Sequence, residues 1–111
     1  MRIYLSHPYG GNPENREASK KIHEFYKESW EYEGLQHTMV NPLELLEECA
    51  GKVSEQTITR AAVEIMRGCD AVLFCQNWQE SRGCRVEHAV AELSGMKIYY
   101  LDRIAEEAMT A

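Results

Sequence analysis

The sequence predicts an α/β domain: a doubly wound, Rossmann- or flavodoxin-like parallel sheet of about four strands in the order 2-1-3-4, with helices on both faces. Three observations predict it. Short runs of strand formers alternate with longer segments of helical period, the pattern of parallel strands joined by right-handed crossovers. The strongest strand run, Asp70-Ala71-Val72-Leu73-Phe74-Cys75, leads through the turn Ser81-Arg82-Gly83-Cys84-Arg85-Val86-Glu87 into another helical pattern. A length of 111 residues fits one domain spanning 1–111, enough for one core and too short for two.

Each element has a local cause. Arg2 to Ser6, with Ile3-Tyr4-Leu5 at its centre, reads as a strand that ends in the loop His7-Pro8-Tyr9-Gly10-Gly11. Asn12-Pro13-Glu14 then starts a helix: Asn12 caps free N–H groups, Pro13 is pre-set for the first helical position and Glu14 suits the dipole. Ala18, Ile22, Phe25 and Tyr26 mark its apolar face, and Gly34 ends it. His37 to Asn41 is a second strand stopped by Pro42, after which Leu43, Leu45 and Leu46 form a short helical turn broken at Gly51. From the N-cap Ser54, the residues Ile58, Ala62, Ile65 and Met66 line one face of a helix closed by Gly68. Asp70 to Cys75 is the third strand, with Asp70 read as structural. Val86, Ala89, Val90 and Leu93 are expected to form the buried stripe of the next helix, which Gly95 ends. Lys97 to Leu101 supplies the fourth strand, and Ile104 to Ala111 a short terminal helix.

Composition narrows the function classes. The chain is 44% hydrophobic and 27% charged, and it has no run approaching the ~20 apolar residues of a membrane span, so a soluble protein without a membrane partner is expected. The opening residues read as a strand and not as a signal peptide, which makes the cytoplasm the expected compartment. A net charge of −6 disfavours a nucleic acid polymer as partner but allows one small anion at a local site. Cys49, Cys69, Cys75 and Cys84 form no C-x-x-C pair and are expected to be reduced, mostly buried thiols, with no metal and no cofactor. The acidic runs at Glu44, Glu47 and Glu48 and at Glu106-Glu107 read as solvated faces.

In a doubly wound sheet, ligands bind beyond the carboxyl ends of the strands where the winding reverses, here between the first and third strands. The loop His7 to Asn12, with Gly10 and Gly11, should therefore share a crevice with the loop Gln76 to Gly83. Ser81 and Gly83 open a helix whose first N–H groups have no intrahelical partner, so an anion can rest there, with Arg82 or Arg85 adding charge-assisted contacts. Ser81 is also a plain N-cap, and Gly83 is read as relieving crowding at the turn. Glu87 is either an exposed helical carboxylate or one that looks into the crevice, where the helix dipole would keep it ionised and suited to nucleophilic attack. Tyr4 is either a core aromatic or a site residue. Trp78 either stacks on a flat ring or covers the core edge, and His7 sits at the strand end where a ligand contact is open.

Taken together, Ile3-Tyr4-Leu5-Ser6-His7-Pro8, Cys69-Asp70-Ala71-Val72 and Ser81-x-Gly83-x-x-x-Glu87-x-x-x-Ala91 with Gly95 resemble the nucleoside 2-deoxyribosyltransferase superfamily. Within it the likeness is to 2′-deoxynucleoside 5′-monophosphate N-glycosidases and their short bacterial and phage relatives. The resemblance implies that Glu87 attacks the anomeric carbon of deoxyribose, that Ser81 holds the 5′-phosphate and that Tyr4 lies in the site. It also implies a small-molecule nucleotide or nucleoside as partner, and a homodimer in which a neighbour completes the pocket. A carboxylate that helps handle the base in that superfamily falls at Ala62 here, and Glu64 points about 200° round the helix from it. His7 stands where relatives often carry a small residue, which reshapes the base pocket or supplies a proton donor.

Overall fold

The computed structural model describes residues 1–9, 11–49 and 51–110. Four parallel strands form one sheet in the order β2-β1-β3-β4: β1 (Arg2–Ser6), β2 (Thr38–Val40), β3 (Ala71–Phe74) and β4 (Lys97–Tyr100). The connecting helices are α1 (Pro13–Glu33), α2 (Pro42–Leu45), α3 (Glu55–Arg67) and α4 (Arg82–Leu93), and α5 (Arg103–Thr110) follows β4. The radius of gyration is 13.3 Å, close to the ~13 Å of a single compact domain of this length. Among the described residues no helix is long and apolar enough to cross a membrane.

The sheet has two apolar layers because side chains alternate along each strand. Ile3 and Leu5 of β1, with Ala71, Leu73 and Cys75, face Ile22, Tyr26 and Trp30 of α1 and Met109 of α5. Tyr4, Val72 and Phe74 face the other way, onto Ala62 and Met66 of α3 and Ala91 of α4. The start of β3 is fixed by Asp70, whose Oδ2 accepts the Arg2 N–H at 2.7 Å while its own N–H donates to the Arg2 carbonyl at 2.8 Å.

Two caps form where the sequence places them: Asn12 Oδ1 accepts the Glu14 N–H and Ser54 Oγ accepts the Thr57 N–H. Asn41, expected to end the second strand, lies outside β2 and caps α2, its Oδ1 accepting the Leu43 N–H. Gly34 ends α1 at φ 72°, a left-handed conformation that suits glycine.

Two helical faces differ from expectation. On α1 the inward line is Ser19, Ile22, Tyr26 and Trp30, while Phe25 is 47% exposed. Ser19 is inward because its hydroxyl has partners: it donates to the Arg16 carbonyl and accepts from Asn41 Nδ2. On α4 the correction is larger. The buried stripe is Cys84, Glu87 and Ala91, turned by roughly 100° or more from the expected Val86, Ala89, Val90 and Leu93. Leu93 is 89% exposed. The apolar pattern misplaces this helix because a carboxylate and a thiol, not aliphatic groups, occupy its inward positions.

Candidate active site

Strand alternation puts Tyr4 and Ser6 on the same side of β1, facing α4. Glu87, three residues after Cys84 and four before Ala91, points from α4 toward the sheet and is 6% exposed. The Tyr4 hydroxyl donates to Glu87 Oε2, and the Ser6 hydroxyl donates to Oε1 at 2.9 Å. Both carboxylate oxygens thus have a hydroxyl donor, and each keeps a further lone pair for a reacting atom.

Burial decides the electrostatics of this group. Removal from water pushes the Glu87 carboxyl up to about 7, against the opposing pull of the Tyr4 and Ser6 hydrogen bonds. The expectation that the helix dipole keeps Glu87 fully ionised is therefore corrected: near neutral pH it lies between its two states. Burial, and next the Glu87 charge, hold the Tyr4 phenol well above its ordinary value, so Tyr4 remains a donor.

Glu87 opens onto a crevice of about 410 Å³ at the carboxyl ends of β1 and β3, within the usual range of ~300–1,000 Å³ for small-molecule sites. The two loops expected to meet do so: His7, Tyr9 and Gly11 line one side, Ser81 and Gly83 the other. Ser81 caps α4, its Oγ accepting the Cys84 N–H at 3.3 Å and its carbonyl the Arg85 N–H at 3.0 Å. Helix geometry leaves the N–H groups of Arg82 and Gly83 without an intrahelical partner. A Cβ on Gly83 would meet only Ser81 Oγ, at 4.0 Å. The glycine does not relieve crowding, as the sequence suggested; it leaves room beside the helix N-terminus.

Of the other expected residues, His7 is buried and lines the crevice. Its Nδ1 lies 2.7 Å from the Pro8 carbonyl, so Nδ1 carries the proton and Nε2 the lone pair. Burial holds the ring below its usual value against the pull of that carbonyl and of Glu106, which favours the neutral ring with Nε2 as an acceptor. Trp78 does not line the crevice. It stacks on His88, ring centroids 3.9 Å apart and planes 10° from parallel, and it packs against Phe74. Arg85 is exposed and absent from the lining, and no Arg or Lys stands there among the described residues, so the crevice offers hydroxyl and amide donors and no guanidinium. Gly10 lies outside the described residues.

Ser6 and Glu55 are site residues that sequence reasoning missed. Ser6 was legible, since it sits two residues after Tyr4 on the same strand face. Glu55 lines the crevice with Ile58, Thr59 and Ala62 because these positions share one face of α3 at i, i+3, i+4 and i+7. A carboxylate thus exists on the face that carries Ala62, about 10 Å further along the axis at ~1.5 Å per residue. The walls beyond it, Pro42, Leu43, Leu46 and Val53, are apolar.

A family model described as "Domain of unknown function (DUF4406)" matches residues 1–100, and the chain belongs to that family. No curated protein and no solved structure matches the chain.

Proposed function

We propose that this member of the DUF4406 family cleaves the N-glycosidic bond of a deoxynucleoside 5′-monophosphate or deoxynucleoside, as an N-glycosidase or a deoxyribosyltransferase. One observation carries the reading: a buried carboxylate, held at both oxygens by the Tyr4 and Ser6 hydroxyls, faces a crevice that also contains a helix N-terminus with Ser81 and Gly83. In this reading the 5′-phosphate rests on Ser81 Oγ and the first N–H groups of α4, and the base lies along the apolar wall.

Glu87 in its ionised form bonds to the anomeric carbon as the bond to the base breaks. The bonding pair leaves with the base, which takes up a proton. Water, or a second base in a transfer reaction, then displaces the carboxylate. Tyr4 and Ser6 hold Glu87 on line, and their hydrogen bonds stabilise the carboxylate charge that returns to Glu87 when it is displaced. The chemistry draws on no cofactor.

The test is to incubate the protein with a panel of deoxynucleoside 5′-monophosphates and follow free base by chromatography. Release that disappears in Glu87→Ala is the expected result. No release from any member of the panel overturns the enzyme reading.

Ala62 favours a second reading, a nucleotide-binding or sensing module of the same fold, because a second carboxylate close to Glu87 is lacking on α3. Thermal shift separates the two. A nucleotide at 100 times its dissociation constant stabilises the fold by roughly 2.7 kcal/mol, and stabilisation without base release marks the sensor.

We also propose a homodimer acting in the cytoplasm. Val53 lines the crevice yet is 44% exposed, so a single chain leaves an apolar wall uncovered for a neighbour to close. Cys49, Cys69, Cys75 and Cys84 are free thiols, as a reducing compartment keeps them.

A further inference from the structure

At the carboxyl edge of the sheet, on the side of α1 and α5, three metal-ligating side chains from three separate elements converge. His7 follows β1, Cys75 follows β3 and Glu106 lies in the first turn of α5. A ring nitrogen of His7, Cys75 Sγ and a carboxylate oxygen of Glu106 all lie within 4.8 Å of one another. We propose that these three side chains bind a divalent cation of the Zn²⁺ class, with water as a fourth ligand.

The donor set selects the class. One imidazole, one thiolate and one carboxylate suit a borderline-soft ion that accepts tetrahedral geometry, whereas Mg²⁺ and Ca²⁺ require oxygen ligands throughout. Bonds of roughly 2.0–2.3 Å to a tetrahedral ion put the ligand atoms roughly 3.3–3.8 Å apart, so the site closes by about 1 Å on loading. Glu106 is only half-buried and has the longest stem of the three, which makes it the side chain able to supply that movement.

Each ligand is already oriented by a second contact that leaves a coordinating lone pair. The Pro8 carbonyl accepts a hydrogen bond from His7 Nδ1, which fixes the ring and leaves Nε2 with a free lone pair. The Gln76 N–H donates to Glu106 Oε2 at 2.9 Å, so that carboxylate is not part of a solvated acidic run, as the sequence indicated. The Cys75 thiol points at the Ser6 carbonyl, 3.3 Å away. Cys75 is fully buried, so no substrate reaches it as a nucleophile. Glu106 is partly exposed and His7 also lines the crevice, so two of the three ligands reach the surface or the crevice wall. On loading, the Cys75 S–H gives its proton to water and the thiolate pair bonds the metal.

The ion would pin α5 to the ends of β1 and β3 and fix His7 in the crevice wall. None of this rests on the glycosidase reading. The test uses the full chain, stripped with chelator, desalted and titrated with Co²⁺ and with Zn²⁺. The expected result is one metal per chain by atomic emission, tetrahedral Co²⁺ d–d bands with a thiolate-to-metal band, and a raised melting temperature with Zn²⁺. Cys75→Ser should abolish the thiolate band, Glu106→Gln should weaken binding by 10–100-fold, and Cys49→Ser should change neither. If Cys75→Ser fails to fold, Glu106→Gln decides alone. Absence of the thiolate band in the parent chain, or a band that survives Cys75→Ser, or a Glu106→Gln chain that binds as tightly as the parent, overturns the proposal.

Discussion

At the scale of the residue, burial of Glu87 sets the cost of desolvation against its two hydrogen bonds. Desolvation raises its folded value to about 7, above the ordinary carboxylate value of 4.5. The folded state therefore keeps a proton that the unfolded chain releases between these pH values. Its contribution to stability is fully present below about 4.5 and is lost as the pH rises through about 7. Glu87→Gln should remove this decline. Denaturant unfolding at pH 8 should find the variant more stable than the parent, by on the order of 3 kcal/mol, with the two converging near pH 4.5. If the parent turns over nucleotide by ionised Glu87, the rate of base release should rise with pH through about 7, whereas proton donation by Glu87 would give a fall. Ser81 and Glu87 should divide the work. Ser81→Ala should weaken 5′-monophosphates by ~1.5–3 kcal/mol and spare unphosphorylated nucleosides, since it removes a hydrogen bond to a charged group. Glu87→Ala should stop turnover while nucleotide binding survives, because attack belongs to the transition state alone. Dissociation constants and single-turnover rates for the two variants check the division.

At the scale of the element, α4 is oriented by its polar partners and not by its aliphatic residues. Tyr4 and Ser6 hold the Glu87 side of the helix against β1, and Val86 and Leu93 are left outward. This orientation makes an unusual stability forecast. Leu93→Ser, at a position 89% exposed, should change unfolding free energy by no more than about 0.5 kcal/mol. Ala91→Leu, at a position with no exposure, should cost about 1–3 kcal/mol through overpacking against the sheet. The opposite ranking in equilibrium unfolding would restore the stripe that the apolar pattern describes.

At the scale of the molecule, the crevice lies where β1 and β3 diverge to opposite sides of the winding, and its apolar wall at Val53 is uncovered. Sedimentation at micromolar concentration should find twice the 12.8 kDa chain mass, and a particle of one chain mass would argue against the homodimer. The order of strands, the caps at Asn12 and Ser54 and the meeting of the first and third strand loops were all legible in the sequence. They follow from short-range chemistry: turn residues, helix caps and the handedness of parallel crossovers act within a few residues or by a fixed rule. What only the tertiary structure decided is which side chains complete a polar group far away in the chain. Glu87 faces inward because hydroxyls 81 and 83 residues away satisfy it, and Trp78 leaves the crevice because His88 offers it a stacking partner. A polar residue goes inside when its partner is already there, and hydropathy along the chain carries no record of that partner.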